Sequence, residues 1–134
     1  MSLTGTVGTN ALNNMNYKEN LKKRADYILQ IAKDSLDLGK VNEFGKLEPD
    51  YSKTKCLKTS GLSFILSLYG DNHPYFTEFN NVLRYSYKSS VESAEEIILN
   101  IKSEIENGWI NSIKGIVSAE IFTDFFRNGR ASVR

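Results

Sequence analysis

The apolar residues of this chain recur at the spacing of an α-helix, and this periodicity restricts the folds that the chain can adopt. Within residues 16–38 they form one stripe with a 3.6-residue period: Leu21, Ala25, Ile28, Leu29, Ala32 and Leu36. Later they recur at Val91, Ala94, Ile98, Ile101 and Ile105, and then at Trp109, Ile113, Val117, Ile121 and Phe125. A helix with one apolar stripe must bury it against another element. The sequence therefore predicts an all-α bundle of four or five helices with a long C-terminal helix.

The middle of the chain is ambiguous between helix and strand. In "KCLKTSGLSFILSLYG", Leu62, Phe64, Leu66 and Leu68 alternate as in a strand, yet the same stretch also fits a helical stripe. The sequence offers no convincing partner strand, and an unpaired strand leaves its backbone groups without hydrogen bonds. We therefore predict a helix that ends at Gly70.

Glycine, proline and capping residues mark the predicted helix boundaries. Gly39 is predicted to end the first helix as a left-handed cap, and the following loop, 40–52, to pack Phe44 and Leu47 onto the core. Pro74 fits the first turn of a helix that is capped by Asp71, Asn72 or His73. Ser89-x-x-Glu92 matches a capping box for the fourth helix. Gly108 is compatible with a kink or a tight turn, and we favour the kink.

The composition predicts three segments along the chain. Residues 1–14 are rich in Gly, Thr, Ser and Asn and read as a flexible leader. Met15 stands where the periodic sequence begins, so the leader is expected to come from an expression vector or an upstream fusion. Residues 15–126 form a single helical domain, and "RNGRASVR" over 127–134 is predicted to be a disordered tail. The apolar Phe125–Phe126 just before it suggests a domain separated from a longer protein.

Charge and cysteine content exclude several classes of protein. The 134 residues carry a formal net charge of +1, which gives no global attraction to nucleic acid or to an acidic membrane. One cysteine, Cys56, excludes an internal disulfide and a Cys-rich zinc site. The chain shows no secretory leader and no run of about 18 apolar residues, so we expect a cytoplasmic protein without a membrane partner. Basic residues are in excess within 15–58 and 109–134 and acidic ones within 59–108, which favours a basic first helix beside an acidic later one.

Residues that could support catalysis or hold a cofactor are few. The glutamates at 92, 95, 96, 104 and 106 lack an accompanying Glu-x-x-His, so we read them as a solvated helix face rather than a metal site. His73 with Asp71 could form a small hydrolase centre, but the position of His73 at a helix start favours a capping role. No phosphate-binding glycine motif is present. We therefore predict no catalytic, cofactor-binding or metal-binding residue.

Nucleic-acid binding is the alternative function that the basic residues allow. Lys22, Lys23 and Arg24 form the only tight basic run, and further lysines lie within 53–58. The simpler interpretation pairs this run with acids of the 92–106 helix. The six aromatic residues between Tyr69 and Tyr87 could stack on bases, but a packed core with tyrosine hydroxyls at its rim fits them better.

Two further stretches resemble a known group of proteins. "LSFILSLYGDNHPYFTEF" and "EIENGWINSIKGIVSAEIFTDFF" are similar to the N-terminal helical region of uncharacterised bacterial proteins of roughly twice this length. The second stretch carries the more specific pattern, formed by Gly108, Trp109, Ser112, Ile113, Gly115, Ser118, Ala119, Glu120, Phe122, Asp124 and Phe125. The resemblance covers about residues 57–126.

The resemblance implies a C-terminal partner domain of the HEPN type. Those all-α domains commonly carry an Arg followed after four to six residues by His, a ribonuclease motif formed across a dimer, and many belong to phage defence or toxin systems. In this chain "RNGRASVR" follows Phe126, and no Arg precedes His73 at the required distance. Any ribonuclease activity would therefore lie in a domain that this sequence lacks.

The expected function is that of a non-catalytic interaction and oligomerisation module. The apolar face of the last helix is the predicted contact with a second copy or with the missing domain. Its interaction residues are predicted to be Trp109, Ile113, Val117, Ile121, Phe122, Phe125 and Phe126.

Overall fold

The structure is a computed structural model, which describes the backbone of residues 2–110 and the side chains of residues 16–110. Four helices follow one another: α1 (Ser2–Asp37), α2 (Tyr51–Tyr69), α3 (Pro74–Val82) and α4 (Lys88–Glu106). Between α1 and α2 the chain forms an antiparallel hairpin of β1 (Lys40–Val41) and β2 (Leu47–Glu48). The predicted all-α bundle is confirmed, with the hairpin as an addition that the sequence did not indicate.

Helix α1 is the centre of the bundle. It packs most extensively against α4 and next against α2, while α3 bridges α2 and α4. The predicted apolar stripes of α1 and α4 provide much of the buried core, which also receives Leu57, Phe64, Ile65, Leu68 and Phe79 from α2 and α3. The expected proximity of the basic first helix to the acidic fourth is confirmed.

Helix α1 starts earlier than its apolar stripe. The backbone is helical from Ser2, through the segment for which the composition predicts a flexible leader. Once a helix is nucleated, each further residue adds a hydrogen bond at little cost, and residues 2–14 contain no proline to stop it. Lys22, Lys23 and Arg24 therefore lie in the middle of α1, where the helix dipole does not act against them.

Two expectations about the α1–α2 connection are wrong. Gly39 does not have the positive φ of a left-handed cap. It is needed because β2 comes back against it: a Cβ at this position would lie 2.5 Å from the carbonyl oxygen of Glu48. Phe44 does not pack onto the core, since 77% of its surface is exposed at the tip of the hairpin.

The boundaries between α2 and α3 follow the sequence. Asp50 caps α2 by accepting a hydrogen bond from the Lys53 amide at 3.0 Å. Gly70 ends α2 with φ +84°, a conformation that glycine adopts at little cost. His73 is the N-cap of α3 and Pro74 occupies its first turn, as predicted.

The start of α4 does not follow the sequence prediction. The N-cap is Tyr87, which makes no capping hydrogen bond through its side chain, and the helix begins at Lys88. Ser89 and Glu92 therefore lie inside the helix, two residues too late to form a capping box around its first amide groups. Further along, the predicted residues of the α4 stripe are all buried.

Gly108 terminates α4 rather than bending it. Its φ is +74°, its amide donates to the carbonyl of Ile105 at 3.1 Å, and the Trp109 amide donates to the carbonyl of Glu104 at 2.9 Å. This pair of bonds is the Schellman arrangement, which satisfies the last carbonyl groups of a helix and stops it. The kink favoured from the sequence is therefore wrong. The later residues of the predicted last helix and the 127–134 tail lie outside the described residues.

The membrane prediction can be compared with the described helices. None of the helices among residues 2–110 combines the length and the hydropathy required to cross a lipid bilayer.

Candidate interaction surface

The basic residues proposed for nucleic-acid contact do not converge on one face. Lys22 lies 3.6 Å from the Glu19 carboxylate, on its own helix. Arg24 places its guanidinium carbon 5.1 Å from the ring centre of Phe64, on α2. Lys23 is exposed between them. Consecutive helical residues point about 100° apart, so the run does not present a continuous basic stripe.

The lysines of residues 53–58 are also dispersed. Lys55 is exposed, with its Nζ atom 5.5 Å from the ring centre of Tyr51, whereas Lys53 and Lys58 are half-buried. The α1–α4 contact contains an ion pair in which α4 supplies the positive charge and α1 the negative one, the reverse of the expected pairing. Lys102 of α4 approaches Asp26 of α1 at 2.6 Å, and this bond raises the pKa of Lys102.

The strongest polar cluster in the described region joins three helices. The phenols of Tyr69 on α2 and Tyr75 on α3 donate hydrogen bonds to the two carboxylate oxygens of Glu104 on α4, at 2.6 and 2.5 Å. Glu104 is half-buried, so its assignment to a solvated face is wrong. The predicted packing of tyrosines with their hydroxyls at the rim of the core is confirmed for Tyr69 and Tyr75. It is wrong for Tyr85 and Tyr87, which are exposed.

His73 belongs to the same cluster and caps the N-terminus of α3. Its ring lies 4.3 Å from that of Tyr69 and 4.8 Å from that of Tyr75, centre to centre. Its Nδ1 atom accepts the Tyr75 amide at 3.0 Å, as the cap of α3. This nitrogen is therefore occupied while α3 is formed. Asp71 is exposed, and among the described contacts none joins it to His73.

The tyrosine–glutamate cluster makes stability sensitive to alkaline pH. Burial, followed by the hydrogen bond to Glu104 and its charge, raises the pKa of Tyr75 from 10 to about 12, and the same causes raise the pKa of Tyr69 further. Because the folded state holds these protons more tightly than the unfolded state, their stabilisation is complete below pH 10. The contribution of Tyr75 is lost as the pH rises to about 12, and that of Tyr69 continues to fall at higher pH.

We expect the urea midpoint of the wild type to fall between pH 10 and pH 12 more steeply than that of Tyr69→Phe/Tyr75→Phe. The double variant is the matched control because the other tyrosines remain in both proteins. Parallel losses of stability in the two proteins would contradict the role given to the cluster.

The hairpin loop is organised by one side chain, that of Asn42. The Oδ1 atom of Asn42 accepts the amides of Phe44 and Lys46 at 2.8 and 3.0 Å, and its Nδ2 atom donates to Glu48 at 3.1 Å. Its backbone amide and carbonyl bond to Lys46 and Gly45, and Gly45 adopts φ +77°. Such side-chain bonds to the local backbone fix a tight turn. Phe44 is consequently held outward by an ordered loop.

Exposed apolar side chains concentrate at this end of the bundle. Of the ten large apolar side chains exposed within residues 16–110, six lie in 38–51 and 85–87: Leu38, Val41, Phe44, Tyr51, Tyr85 and Tyr87. The rings of Tyr85 and Tyr87 stack with their centres 5.7 Å apart. We call these six residues the hairpin surface. Trp109, which the sequence selected as an interaction residue, is also exposed but lies after the other end of α4.

A groove of about 760 Å³ runs between the hairpin and the start of α4. Val41 and Leu47 contribute to its hairpin wall and Tyr87 to its α4 wall. Lys46, Glu48, Lys88 and Glu92 supply charges of both signs along it. The hairpin surface therefore combines exposed rings with a concave site that is lined from two sides.

Sequence reasoning missed the hairpin surface because its signals are local and weak. Phe44 was expected in the core since a loop aromatic usually packs inward, and only the Asn42 bonds explain why it does not. Tyr87 is an unusual residue for an N-cap, and the capping-box pattern instead predicted that α4 begins at Ser89.

Metal binding has no support within the described side chains. In residues 16–110 no three His, Cys, Asp or Glu side chains lie close enough to hold a metal ion.

Comparison with protein-family models, with curated proteins and with solved structures yields no match to this chain. The interpretation of function therefore rests on the geometry.

Proposed function

We propose that this chain is a non-catalytic helical interaction module that associates with a second copy of itself. The observation that supports this most directly is the concentration of six exposed large apolar side chains on the hairpin surface. Soluble proteins seldom expose clustered apolar groups without a binding role. The remaining described apolar residues are largely buried in one core, so the hairpin surface is not required to complete the fold.

The wider proposal is that the module forms the N-terminal part of a bacterial protein of the HEPN type, with a role in defence. It is supported by the resemblance of residues 57–126 alone. In such a protein, self-association of the N-terminal module would bring two C-terminal domains together, which suits a motif formed across a dimer.

Light scattering after size exclusion tests the self-association. The monomer mass is 15.2 kDa, and we expect a mass that rises towards twice this value as the loading concentration enters the high micromolar range. Leu66 is exposed on α2 outside the hairpin surface, so Leu66→Ala should associate like the wild type. A monomer mass at every concentration would overturn the proposed function.

A further inference from the structure

The start of α4, at the edge of the groove, lacks the residues that usually stabilise the first turn of a helix. An N-cap position favours Ser, Thr, Asp or Asn, and the first turn favours acidic residues. Here Tyr87 is the N-cap without a side-chain hydrogen bond, Lys88 follows it, and the first turn contains no acid. Tyr87 is also 62% exposed. Its ring stacks on Tyr85, which is exposed as well, so this residue adds nothing to the buried core. Positions that break local rules are often used for function.

Phe44 is a second residue that the fold does not use. The bonds to Asn42 and the positive φ of Gly45 hold the loop without help from the Phe44 ring. An aromatic side chain on a preformed loop loses little conformational entropy when it binds, and aromatic residues commonly anchor interfaces. Phe44 therefore has the properties of an anchor.

The groove beside Phe44 can receive such an anchor. Its volume of about 760 Å³ exceeds the roughly 150 Å³ cavity that accommodates a benzene ring. Phe44 does not line the groove of its own hairpin, whereas Val41, Leu47 and Tyr87 do. The ring and the groove are thus separate features of the same end of the molecule.

The charges around the groove favour a second copy as the occupant. Lys46 and Glu48 lie on the hairpin wall, and Lys88 and Glu92 lie on the α4 wall, so each wall carries one positive and one negative side chain. A two-fold interface requires a surface that is complementary to itself. A balanced arrangement meets that requirement, whereas a surface of one sign would repel its own copy.

We infer that two copies of this chain associate through a two-fold interface in which the Phe44 ring of each copy enters the groove between hairpin and α4 of the other. This inference rests on the proposed function and specifies its interface. Tyr87 then serves as part of the receiving wall, which explains why a residue that caps poorly occupies the start of α4.

Two charge variants test the inference without removing any apolar contact. The acidic copy carries Lys46→Glu and Lys88→Glu. The basic copy carries Glu92→Lys and Glu43→Lys, the latter at the exposed residue before Phe44 in the hairpin loop. Glu48 is left unchanged because it bonds to Asn42. In sedimentation at low salt we expect each variant alone to dissociate at least tenfold more readily than the wild type. An equimolar mixture should form a heterodimer that weakens as salt is added.

The possible outcomes distinguish failure of the proposed self-association from failure of the interface inferred here. A wild type that is monomeric throughout would overturn the proposed function. A dimeric wild type with charge variants that still self-associate normally, or with a mixture that stays monomeric, would overturn only the interface inferred here.

Tyr87→Asp provides an independent readout at the receiving wall. The backbone of residue 87 is already extended, with φ −97° and ψ 157°, so an aspartate there can cap α4. Measured at a concentration where the wild type is monomeric, the melting temperature should rise by about 4 °C. The dimer dissociation constant should rise at least tenfold. A lower melting temperature, or unchanged association, would overturn the inference.

Discussion

Gly61→Val is expected to abolish stable folding or to lower the free energy of unfolding by about 3 kcal/mol or more. Gly61 is buried in the middle of α2, and the Phe79 ring of α3 lies directly against its Cα atom. A Cβ atom built at this position would overlap the Cζ and Cε1 atoms of that ring. Phe79 is itself fully buried, so moving its ring aside would disturb the packing of the core around it. The loss would be large beside the roughly 5–15 kcal/mol that keeps a domain folded.

Urea unfolding followed by circular dichroism measures this effect. Ser63→Val is the matched control, since Ser63 is exposed on the same helix and the change introduces the same β-branched residue without the overlap. Phe79→Leu in the Gly61→Val background should restore part of the stability because it removes ring atoms from the contact. A Gly61→Val variant as stable as the Ser63→Val control would contradict the packing of α3 on α2.

Glu104→Ala is expected to lower the free energy of unfolding by about 2–4 kcal/mol. The substitution removes the acceptor for two phenols at once, and hydrogen bonds to a charged group contribute about 1.5–3 kcal/mol each. Tyr69 and Tyr75 are half-buried, so water can replace part but not all of the lost bonding. Since the cluster joins α2, α3 and α4, the loss affects the packing of all three helices.

Glu104→Gln separates the charge from the shape. The amide has nearly the same volume, and its oxygen can accept one phenol while its NH₂ group faces the other. We therefore expect about half the loss seen for Glu104→Ala. Chemical denaturation of the two variants beside Glu92→Ala, an exposed position on the same helix, makes the comparison. Equal stability of Glu104→Ala and Glu92→Ala would show that the cluster does not support the fold.

Much of the fold could be predicted because helical periodicity and helix caps are determined by residues that are close together in the sequence. The stripes of α1 and α4 gave the core faces correctly, and Gly70, His73 and Pro74 marked the α2–α3 boundary where it is observed. These features depend on residues within a few positions of each other. Their physical causes, burial of one face and satisfaction of the terminal backbone groups, act locally.

The failures involve contacts between distant residues or competition between two local signals. Gly39 is required by the return of β2 against it, which no pattern near Gly39 reveals. Glu104 meets phenols that are 35 and 29 residues earlier in the chain. At Gly108 the sequence is compatible with a continuing helix or with a Schellman motif, and the positive φ that the glycine adopts ends the helix.

The hairpin surface was not predicted from the sequence. The sequence indicated an interaction module, but it placed the contact on residues 109–126, of which only Trp109 and Ile110 are among the described residues. The hairpin surface depends on a turn that a single asparagine organises and on the apposition of that turn to the start of α4. Neither relation follows from hydrophobic periodicity.

Hydrogen–deuterium exchange at two protein concentrations locates the surface through which two copies associate. The first amides of α4 lack a side-chain cap and should exchange readily in the monomer. The amides of the hairpin loop are hydrogen-bonded but lie in an exposed two-stranded hairpin, so they should exchange through local opening, which a bound second copy would slow. We expect raising the concentration to slow exchange in residues 42–46 and 87–91, and to leave the exposed face of α2 around Leu66 unchanged. Protection that appears elsewhere, or does not depend on concentration, would contradict self-association through the hairpin surface.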